Sequence, residues 1–348
     1  MFTGFRSVDT MTPMRSAAAA LLAFALVSCA PEKMPRVPPQ VRVEPYLNAD
    51  LAVYLEAPAA KIVAVAVPQI AGRVVHYGLD GQNVLWNPTD KNGQPQAGGG
   101  YGLDLGPERT IARHPVIWEQ KHGWAKLGTN IVTLASEKDP AVGMRVEKQL
   151  ILDGATGTLD ILQRMINVSE KEQAYCFWDR TLCKAGGFTI IPLNARSRFP
   201  AKWVLGARKV VDGKVDGFWW EYNGVNPSHP GIKVLDGMVI AKSQGKEQKI
   251  GADSDAGWIA YILGRLLFVK YYPYTPGGNY SDNGLSVAHY FNERFAELEP
   301  LSPEVSLRPE EHYLFPERWT LTSLDRDVTT HEDARAVAAK IPPCPFPR

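Results

Sequence analysis

Short apolar stretches separated by glycine-containing turns run through most of this chain, and they constrain its fold more than any other feature. Asp-Gly pairs and a Pro-Gly-Gly run recur between the stretches, and such pairs are typical of tight connections between strands. Many short strands joined in this way predict an all-β sandwich. The predicted strands are Leu51–Glu56, Lys61–Val67, Arg73–Tyr77, Asn83–Trp86, Asn130–Ser136, Val142–Leu152, Thr158–Ser169, Ala174–Leu182, Phe188–Leu193, Ile232–Ala241, Trp258–Leu263 and Leu266–Tyr272.

A single stretch, Thr330–Lys340, is typical of a helix. Thr330 and Asp333 have the spacing of a capping box, and four alanines follow them as helix formers. No internal repeat and no linker interrupts the region between Val43 and Leu321. We therefore predict one sandwich domain over residues 45–322 and a helical tail over residues 323–348.

The N-terminus has the features of a targeting segment. Arg15 precedes the apolar run Ala17–Val27, which is too short to span a bilayer but suits a secretory signal. The run ends in the sequence LVSC, which resembles the lipobox of bacterial lipoproteins, and the resemblance implies cleavage before Cys29 and acylation of its thiol. An ordinary signal peptide with an incidental cysteine is the alternative. Either Met1 or Met14 could be the true start, and Met14 lies at the better distance from the apolar run.

The segment after the cysteine is rich in proline and lacks apolar periodicity, so we expect an extended spacer. The expected order is a signal peptide over residues 1–28 and then an acylated cysteine with its linker over residues 29–44. Ala30 after the cysteine implies, by the same resemblance, delivery to the outer membrane. The expected location is the periplasmic side of a bacterial cell envelope, where a lipid anchor at Cys29 makes the membrane a partner.

Charge and cysteine content narrow the choice of partners. The chain has 38 Lys and Arg against 37 Asp and Glu, with no basic stripe, so nucleic acid is a poor partner. One disulfide among Cys176, Cys183 and Cys344 would suit an oxidising compartment, although Cys176 and Cys183 would face opposite sides of a continuous strand. No Cys/His cluster has zinc spacing, and we predict neither a metal nor a cofactor.

A hairpin near the C-terminus supplies the first candidate chemistry. Residues from Leu285 to Phe291 alternate, a polar turn follows, and the return strand places Glu297 and Glu299 on one face of the sheet. Two carboxylates so close repel each other, which should raise the apparent pKa of the pair and suit acid/base chemistry or the binding of sugar hydroxyls. A solvated acidic strand face is the alternative.

Motifs in the order of a known superfamily run from Val43 to Leu321. The sequence resembles the galactose-mutarotase-like (aldose 1-epimerase-like) proteins, and most of all an uncharacterised branch common among secreted bacterial proteins. The resemblance implies a large twisted β-sandwich with an open concave face that binds carbohydrate. The matching stretches are Pro68–Val75, Gly81–Trp86, Gly98–Glu108, Val146–Leu150, Ile166–Ser169, Glu172–Pro192, Glu297–Pro303, Leu307–Glu311 and Trp319–Leu321. Pro309-Glu310 departs from the usual Pro-Gly of that turn.

The resemblance also implies catalytic roles, because aldose epimerases use a histidine as general acid and a strand glutamate as base. Glu297 matches the base, with Glu299 as the alternative register. The histidine is unmatched, since the corresponding stretch reads FWDRTL. Asp179 could replace it if burial raised its pKa, although a salt bridge with Arg180 is as good an explanation of Asp179. His114 is a further candidate for the acid.

Arginines and aromatic residues complete the candidate site. Arg73 matches an arginine of the superfamily's opening motif and could bind sugar hydroxyls. Trp178 could stack on a sugar ring or belong to the core, and Lys270 and Tyr272 could line the cleft or serve packing. Trp219-Trp220 lies in the stretch from Gly206 to Gly231, interpreted as a loop insertion at the rim of the site. The predicted substrate-binding residues are Arg73, His114, Trp178, Arg180, Lys270 and Tyr272.

Three functions are compatible with these features, because a fold does not determine a function. The first is a carbohydrate-binding envelope lipoprotein. The second is an active sugar epimerase or isomerase. The third is a structural lipoprotein that kept the fold and lost the ligand.

Overall fold

The structure is a computed structural model and describes residues 40–211, 214–221 and 229–347. All of these residues belong to one compact unit. Cys29, the predicted signal peptide and the Asp212-Gly213 turn lie outside the described residues.

Strands dominate the described chain. The first twelve are β1 (Gln40–Tyr46), β2 (Ala49–Ala57), β3 (Ile62–Val67), β4 (Arg73–Leu79), β5 (Gln82–Asn83), β6 (Tyr101–Gly102), β7 (Leu105–Gly106), β8 (Gly123–Lys126), β9 (Ile131–Ala135), β10 (Met144–Leu152), β11 (Leu159–Asn167) and β12 (Gln173–Phe177). The others are β13 (Arg180–Lys184), β14 (Phe188–Pro192), β15 (Val204–Val211), β16 (Lys214–Glu221), β17 (Ile232–Leu235), β18 (Met238–Lys242), β19 (Gln248–Ala252), β20 (Trp258–Leu263), β21 (Leu266–Tyr271), β22 (Val287–Phe291), β23 (Phe295–Pro300), β24 (Val305–Leu307) and β25 (His312–Ser323). The helices are a 3-10 turn (Pro58–Ala60), α1 (Pro115–Trp118), α2 (Ser281–Gly284) and α3 (His331–Ala338).

These strands form two large antiparallel sheets and a small one. Sheet A has the order β1-β2-β3-β4-β6-β13-β23-β22-β19-β15-β16, with β5 paired to β4. Sheet B has the order β17-β18-β14-β20-β21-β25-β11-β10-β9-β8, and sheet C has the order β24-β12-β7. The all-β sandwich predicted from the sequence is confirmed.

The core lies between sheets A and B because alternate residues of each strand point inward. Leu298 and Phe291 of sheet A belong to the same buried cluster as Phe268 and Trp319 of sheet B. Tyr77 packs edge-on against Trp319 with ring centroids 5.7 Å apart, a favoured aromatic arrangement. Residues of sheet A that alternate with the buried ones therefore point to its opposite side, the outer face.

The structure differs from the predicted elements in three places. The predicted strand Ala174–Leu182 is two strands, because the chain leaves sheet C after Phe177 and enters sheet A at Arg180. The stretch interpreted as a loop insertion contains a strand pair, β15 and β16. Strand β1 begins at Gln40, inside the predicted linker, and pairs with β2.

The C-terminal helix has its predicted cap, in which Thr330 Oγ1 accepts a hydrogen bond from the backbone N–H of Asp333 at 3.1 Å. Ala334 and Ala338 of α3 pack into a second buried cluster with strands of sheet B. Among the helices of the described ranges, none is long and apolar enough to cross a bilayer. Among the described residues, no disulfide joins Cys176, Cys183 and Cys344.

Candidate functional site

Charged and aromatic side chains converge on the outer face of sheet A, across strands that are neighbours in the sheet. Their arrangement follows from strand alternation. Thr181, Leu298 and Ile250 point into the interior, so the residues next to them in each strand point to the outer face. The strands β4, β6, β13, β23, β22 and β19 are consecutive in the sheet. The residues that they and the adjoining loops contribute to this face are Arg73, Gly102, Asp104, Glu108, His114, Trp118, Arg180, Lys249, Glu297 and Glu299.

The glycine-rich loop before β6 brings the chain close to the sheet at this point. Gly100 has φ +63°, and a Cβ added there would lie 2.0 Å from the Val74 carbonyl oxygen. A Cβ on Gly102 would lie 2.6 Å from the Trp118 ring and 2.8 Å from the guanidinium carbon of Arg73. Glycine at position 102 therefore leaves the space that lets an arginine and a tryptophan meet over the strand.

Arg73 is buried without a charged partner in contact. It is 8% exposed, and its guanidinium lies 4.1 Å from the centroid of the Trp118 ring, in the geometry of a cation–π contact. Within the described ranges its only hydrogen bond is a long one, 3.5 Å, to the Gly99 carbonyl oxygen. Burial lowers the pKa of Arg73 to about 10, although nearby Asp104 opposes that change. Most of its five N–H donors remain available for a ligand or for water.

A row of alternating charges runs beside Arg73. His114 Nε2 lies 2.6 Å from Asp104 Oδ1, and Asp104 Oδ2 lies 3.6 Å from Arg180. Arg180 donates to Glu108 Oε1 at 2.9 Å, and Lys249 Nζ donates to Glu108 Oε2 at 2.8 Å. Burial alone would raise the pKa of Glu108, but the charges of Lys249 and Arg180 lower it, so this carboxylate is ionised.

The row ends at Glu299, which has no exposed surface. Its Oε2 accepts a 2.8 Å hydrogen bond from the indole N–H of Trp178 and lies 3.5 Å from Lys249 Nζ. Trp178 is fully buried and packs with Ala288 and Leu301. Glu299 and Trp178 are thus held inside the wall of the site, and neither presents a surface on which a sugar could stack.

Glu297 differs from every other carboxylate of this face. It is only partly buried, and nowhere in the described part of the chain does its carboxylate form a hydrogen bond or an ion pair. Burial raises its pKa to about 7, the neighbouring charge of Glu299 raises it further, and Arg180 and Lys249 oppose the shift. A carboxylate that titrates near neutral pH can accept a proton or a hydrogen bond from a ligand hydroxyl.

Aromatic residues from the far end of sheet A lie near this face. The indole N–H of Trp220 donates to Asp282 Oδ2 at 2.8 Å, and Lys249 Nζ lies 5.7 Å from the Trp220 ring. The guanidinium of Arg109 lies 3.6 Å from the centroid of the Trp219 ring. Trp220 therefore lies beside Lys249, and both tryptophans belong to strand β16 and not to the loop predicted from the sequence.

Three residues assigned to the site by the sequence analysis lie between the sheets instead. Asp179, Lys270 and Tyr272 have no exposed surface. Lys270 Nζ lies 2.7 Å from Asp179 Oδ1 and 3.3 Å from Glu317 Oε2. The pKa of Asp179 is raised well above its usual value, by burial and by the charge of Glu317. Their assignment is corrected, because a ligand on the outer face cannot reach them.

Strand alternation accounts for the error at Asp179, because neighbouring residues of a strand point to opposite sides. Trp178 and Arg180 lie on the side of the site, and Asp179 between them lies on the other. Arg180 reaches the site, Trp178 enters its wall and Asp179 turns inward.

Three charged residues of the site were missed by the sequence analysis: Asp104, Glu108 and Lys249. Asp104 and Glu108 lie within the stretch Gly98–Glu108, which resembles the superfamily's glycine-rich loop, but no role was predicted for either residue. Lys249 stands next to buried Ile250 in its strand. Alternation along the strand could therefore have predicted that Lys249 points to the outer face. Across the residues the structure describes, no group of three or more His, Cys, Asp or Glu side chains could hold a metal ion.

Comparison with known proteins gives structural similarity only. No protein-family model matches the sequence, and no curated protein matches it. A candidate aldose 1-epimerase from Escherichia coli K12 superposes with a TM-score of 0.53 and 11% identity, covering 76% of this chain and 97% of that one. A galactose mutarotase-like protein from Lactobacillus casei gives a TM-score of 0.51 and 10% identity, covering 81% of this chain and 100% of that one.

A further solved structure with the same fold belongs to a TPR-domain containing protein from Parabacteroides distasonis. It superposes with a TM-score of 0.52 and 12% identity over 78% of this chain and 47% of that one. At such identities, the similarity establishes the fold and nothing more.

Proposed function

We propose that this chain, whose fold is that of the galactose-mutarotase-like proteins, binds carbohydrate on the outer face of sheet A between Glu297 and Arg73. The observation that carries the proposal is that both groups face the site with unused hydrogen-bonding capacity. Glu297 offers carboxylate oxygens without a protein partner, and Arg73 offers N–H donors. The names of the structural neighbours support a sugar as the ligand.

The chemistry of a sugar ring suits this pair. Each hydroxyl group both donates and accepts a hydrogen bond, so a carboxylate and a guanidinium can hold neighbouring hydroxyls in a fixed orientation. Charge-assisted hydrogen bonds of this kind contribute about 1.5–3 kcal/mol each. The charged row from His114 to Glu299 then fixes the surrounding groups so that they need not reorganise on binding.

The test is isothermal titration calorimetry against a panel of hexoses, uronic acids and envelope glycans. We expect saturable binding of at least one sugar, weakened roughly 10- to 100-fold by Glu297→Gln, which corresponds to about 1.4–2.7 kcal/mol. Glu293→Gln is the matched control, because Glu293 is an exposed glutamate in the turn of the same hairpin. Absence of binding to every sugar would favour a structural role, and equal losses in both variants would refute the assignment of Glu297.

Sugar epimerisation is the second candidate, and the pKa of Glu297 favours it. A mutarotase reaction needs a base to take the proton of the anomeric hydroxyl and an acid to protonate the ring oxygen. Glu297, with a pKa of about 7, has the properties of such a base. His114 lacks a free ring nitrogen, because Nε2 contacts Asp104 and Nδ1 lies 2.7 Å from the Ala112 carbonyl oxygen. Binding is therefore the better supported function.

Anomer exchange followed by NMR separates binding from catalysis. If the protein is an epimerase, exchange of α-glucose or α-galactose accelerates in its presence, and the acceleration rises from pH 6 to pH 8 as Glu297 ionises. Glu297→Gln should abolish this acceleration, whereas Glu293→Gln should retain it. Equal exchange rates with wild type and Glu297→Gln would exclude this mechanism.

The N-terminal sequence supports a further part of the proposal, attachment of the protein to the cell envelope through an acylated Cys29. The support is the lipobox-like sequence LVSC after the apolar run. Metabolic labelling with a radioactive fatty acid should mark the wild type and leave Cys29→Ala unlabelled. Labelling of both proteins, or of neither, would contradict the anchor, and it would leave the sugar proposal unaffected.

A further inference from the structure

A cavity of about 500 Å³ lies away from the charged row, where the start of α3 meets the segment before β17 and the loop between β18 and β19. Its volume falls within the range usual for small-molecule sites. No residue of the charged row lines it. Its lining residues are His229, Pro230, Gly231, Lys242, Gln244, Gly245, Lys246, Gln248 and His331.

Backbone hydrogen bonds fix one wall of this cavity. Gly231 donates its N–H to His229 Nδ1 at 3.0 Å, and its carbonyl oxygen accepts from His331 Nε2 at 2.7 Å. The same carbonyl oxygen accepts from the backbone N–H of Lys242 at 2.8 Å. A Cβ on Gly231 would lie 3.0 Å from the His229 ring and from the Lys242 carbonyl oxygen, so glycine permits this close packing. Both imidazoles are therefore held in place by the main chain.

The charge of the lining has one sign. Lys242 and Lys246 contribute ammonium groups, and no carboxylate lines the cavity among the described residues. The nearby acids have other partners, since Glu332 Oε1 lies 3.4 Å from Lys233 Nζ and Glu247 Oε2 accepts from the Tyr290 hydroxyl at 2.9 Å.

The two glutamines line the cavity beside the lysines. Gln248 donates its amide N–H groups to the carbonyl oxygens of Gly206 at 2.9 Å and Lys249 at 3.4 Å, so its side chain is a fixed part of the wall. Burial lowers the pKa of His229, so this imidazole stays neutral and serves as a wall. Lys242 Nζ lies 4.8 Å from the centroid of the Phe188 ring, and among the described residues it has no carboxylate partner.

We propose that this cavity is a second binding site, which takes a small molecule through a phosphate or carboxylate group held between Lys242 and Lys246. Two like charges beside one cavity repel each other, and an anion between them removes that repulsion. The remaining volume has room for the rest of the molecule, such as a single sugar ring. This site is independent of the outer face of sheet A.

Titration with four probes tests the proposal: inorganic phosphate, glucose 6-phosphate, glucuronate and glucose. We expect saturable binding of at least one anion at low salt, weakening as salt rises, and none of glucose at this site. Lys242→Gln/Lys246→Gln should weaken anion binding tenfold or more. Lys126→Gln is the matched control, because Lys126 is an exposed lysine on β8 that does not line the cavity. A comparison of the affinities for inorganic phosphate and glucuronate shows whether the site prefers a phosphate or a carboxylate.

Three results would overturn the proposal. They are binding of none of the anions, unchanged affinity in the double variant, and an equal loss in Lys126→Gln. If the double variant does not fold by circular dichroism, Lys242→Gln and Lys246→Gln are measured singly, and retained affinity in both overturns it. Glu297→Gln should bind inorganic phosphate, the probe without a sugar ring, as wild type does, which separates this site from the proposed sugar site.

Discussion

A buried lysine behind the candidate site makes stability depend on pH in a way that one substitution should remove. Lys148, on β10, is 1% exposed, and its Nζ donates to the Ala71 carbonyl oxygen at 3.1 Å. Burial lowers its pKa from 10.5 to about 7, the charge of Arg73 lowers it further, and Asp179 opposes the shift. The perturbation that we consider is Lys148→Met, which keeps the length of the side chain and removes the charge.

The sign follows from the number of protons bound in each state. Between pH 7 and pH 10.5 the unfolded chain keeps the Lys148 proton, whereas the folded protein has lost it. Stability therefore rises with pH in this window and falls as the pH drops toward 7. At about 1.36 kcal/mol per pH unit, the wild type loses roughly 2–3 kcal/mol from pH 9 to pH 7 through this lysine.

Lys148→Met should lack this loss. At pH 9 we expect it to be less stable than wild type by about 1 kcal/mol, because the hydrogen bond to Ala71 is gone. At pH 7 it should equal or exceed the wild type. Urea denaturation at both pH values measures the difference, with the exposed Lys126→Met on β8 as control. A difference between Lys148→Met and wild type that stays constant from pH 7 to pH 9 would refute the reasoning.

Two further substitutions test the packing around the site. Gly102→Ala should weaken sugar binding roughly tenfold, because the added Cβ would displace Trp118 and Arg73. Calorimetry measures the affinity, and an unchanged value would show that the contact between Trp118 and Arg73 does not matter for binding. Lys270→Met should destabilise the protein by about 3–5 kcal/mol, because it leaves buried Asp179 without its cation. Lys270 opposes the upward shift of the Asp179 pKa, so its removal should raise this pKa further and make the loss of stability larger at high pH than at low pH. Denaturant unfolding that gives equal losses at pH 5 and pH 8 would contradict the prediction.

The hairpin that carries Glu297 could be predicted from the sequence because its pattern is local. Alternation places Glu297 and Glu299 on one face, and the structure pairs β22 with β23 in that register. Their different environments could not be predicted. Glu299 is enclosed by Trp178 and Lys249, which come from distant parts of the chain.

The change of sheets at Asp179 was beyond local reasoning, whereas its direction, opposite to Trp178 and Arg180, follows from alternation. The residues around it look like one strand, and only the pairing of β12 with β7 and of β13 with β6 and β23 shows that the chain changes sheets there. Its partner Lys270 is 91 residues away in sequence. Contacts at such separations depend on the whole topology, which composition and periodicity do not determine.

A crystal structure with the tightest-binding sugar of the panel tests the central claim most directly. We predict a sugar ring on the outer face of sheet A, with one hydroxyl at about 2.6–3.2 Å from the Glu297 carboxylate and another near the Arg73 guanidinium. A sugar bound elsewhere, or one that leaves both groups in contact with water alone, would contradict the claim.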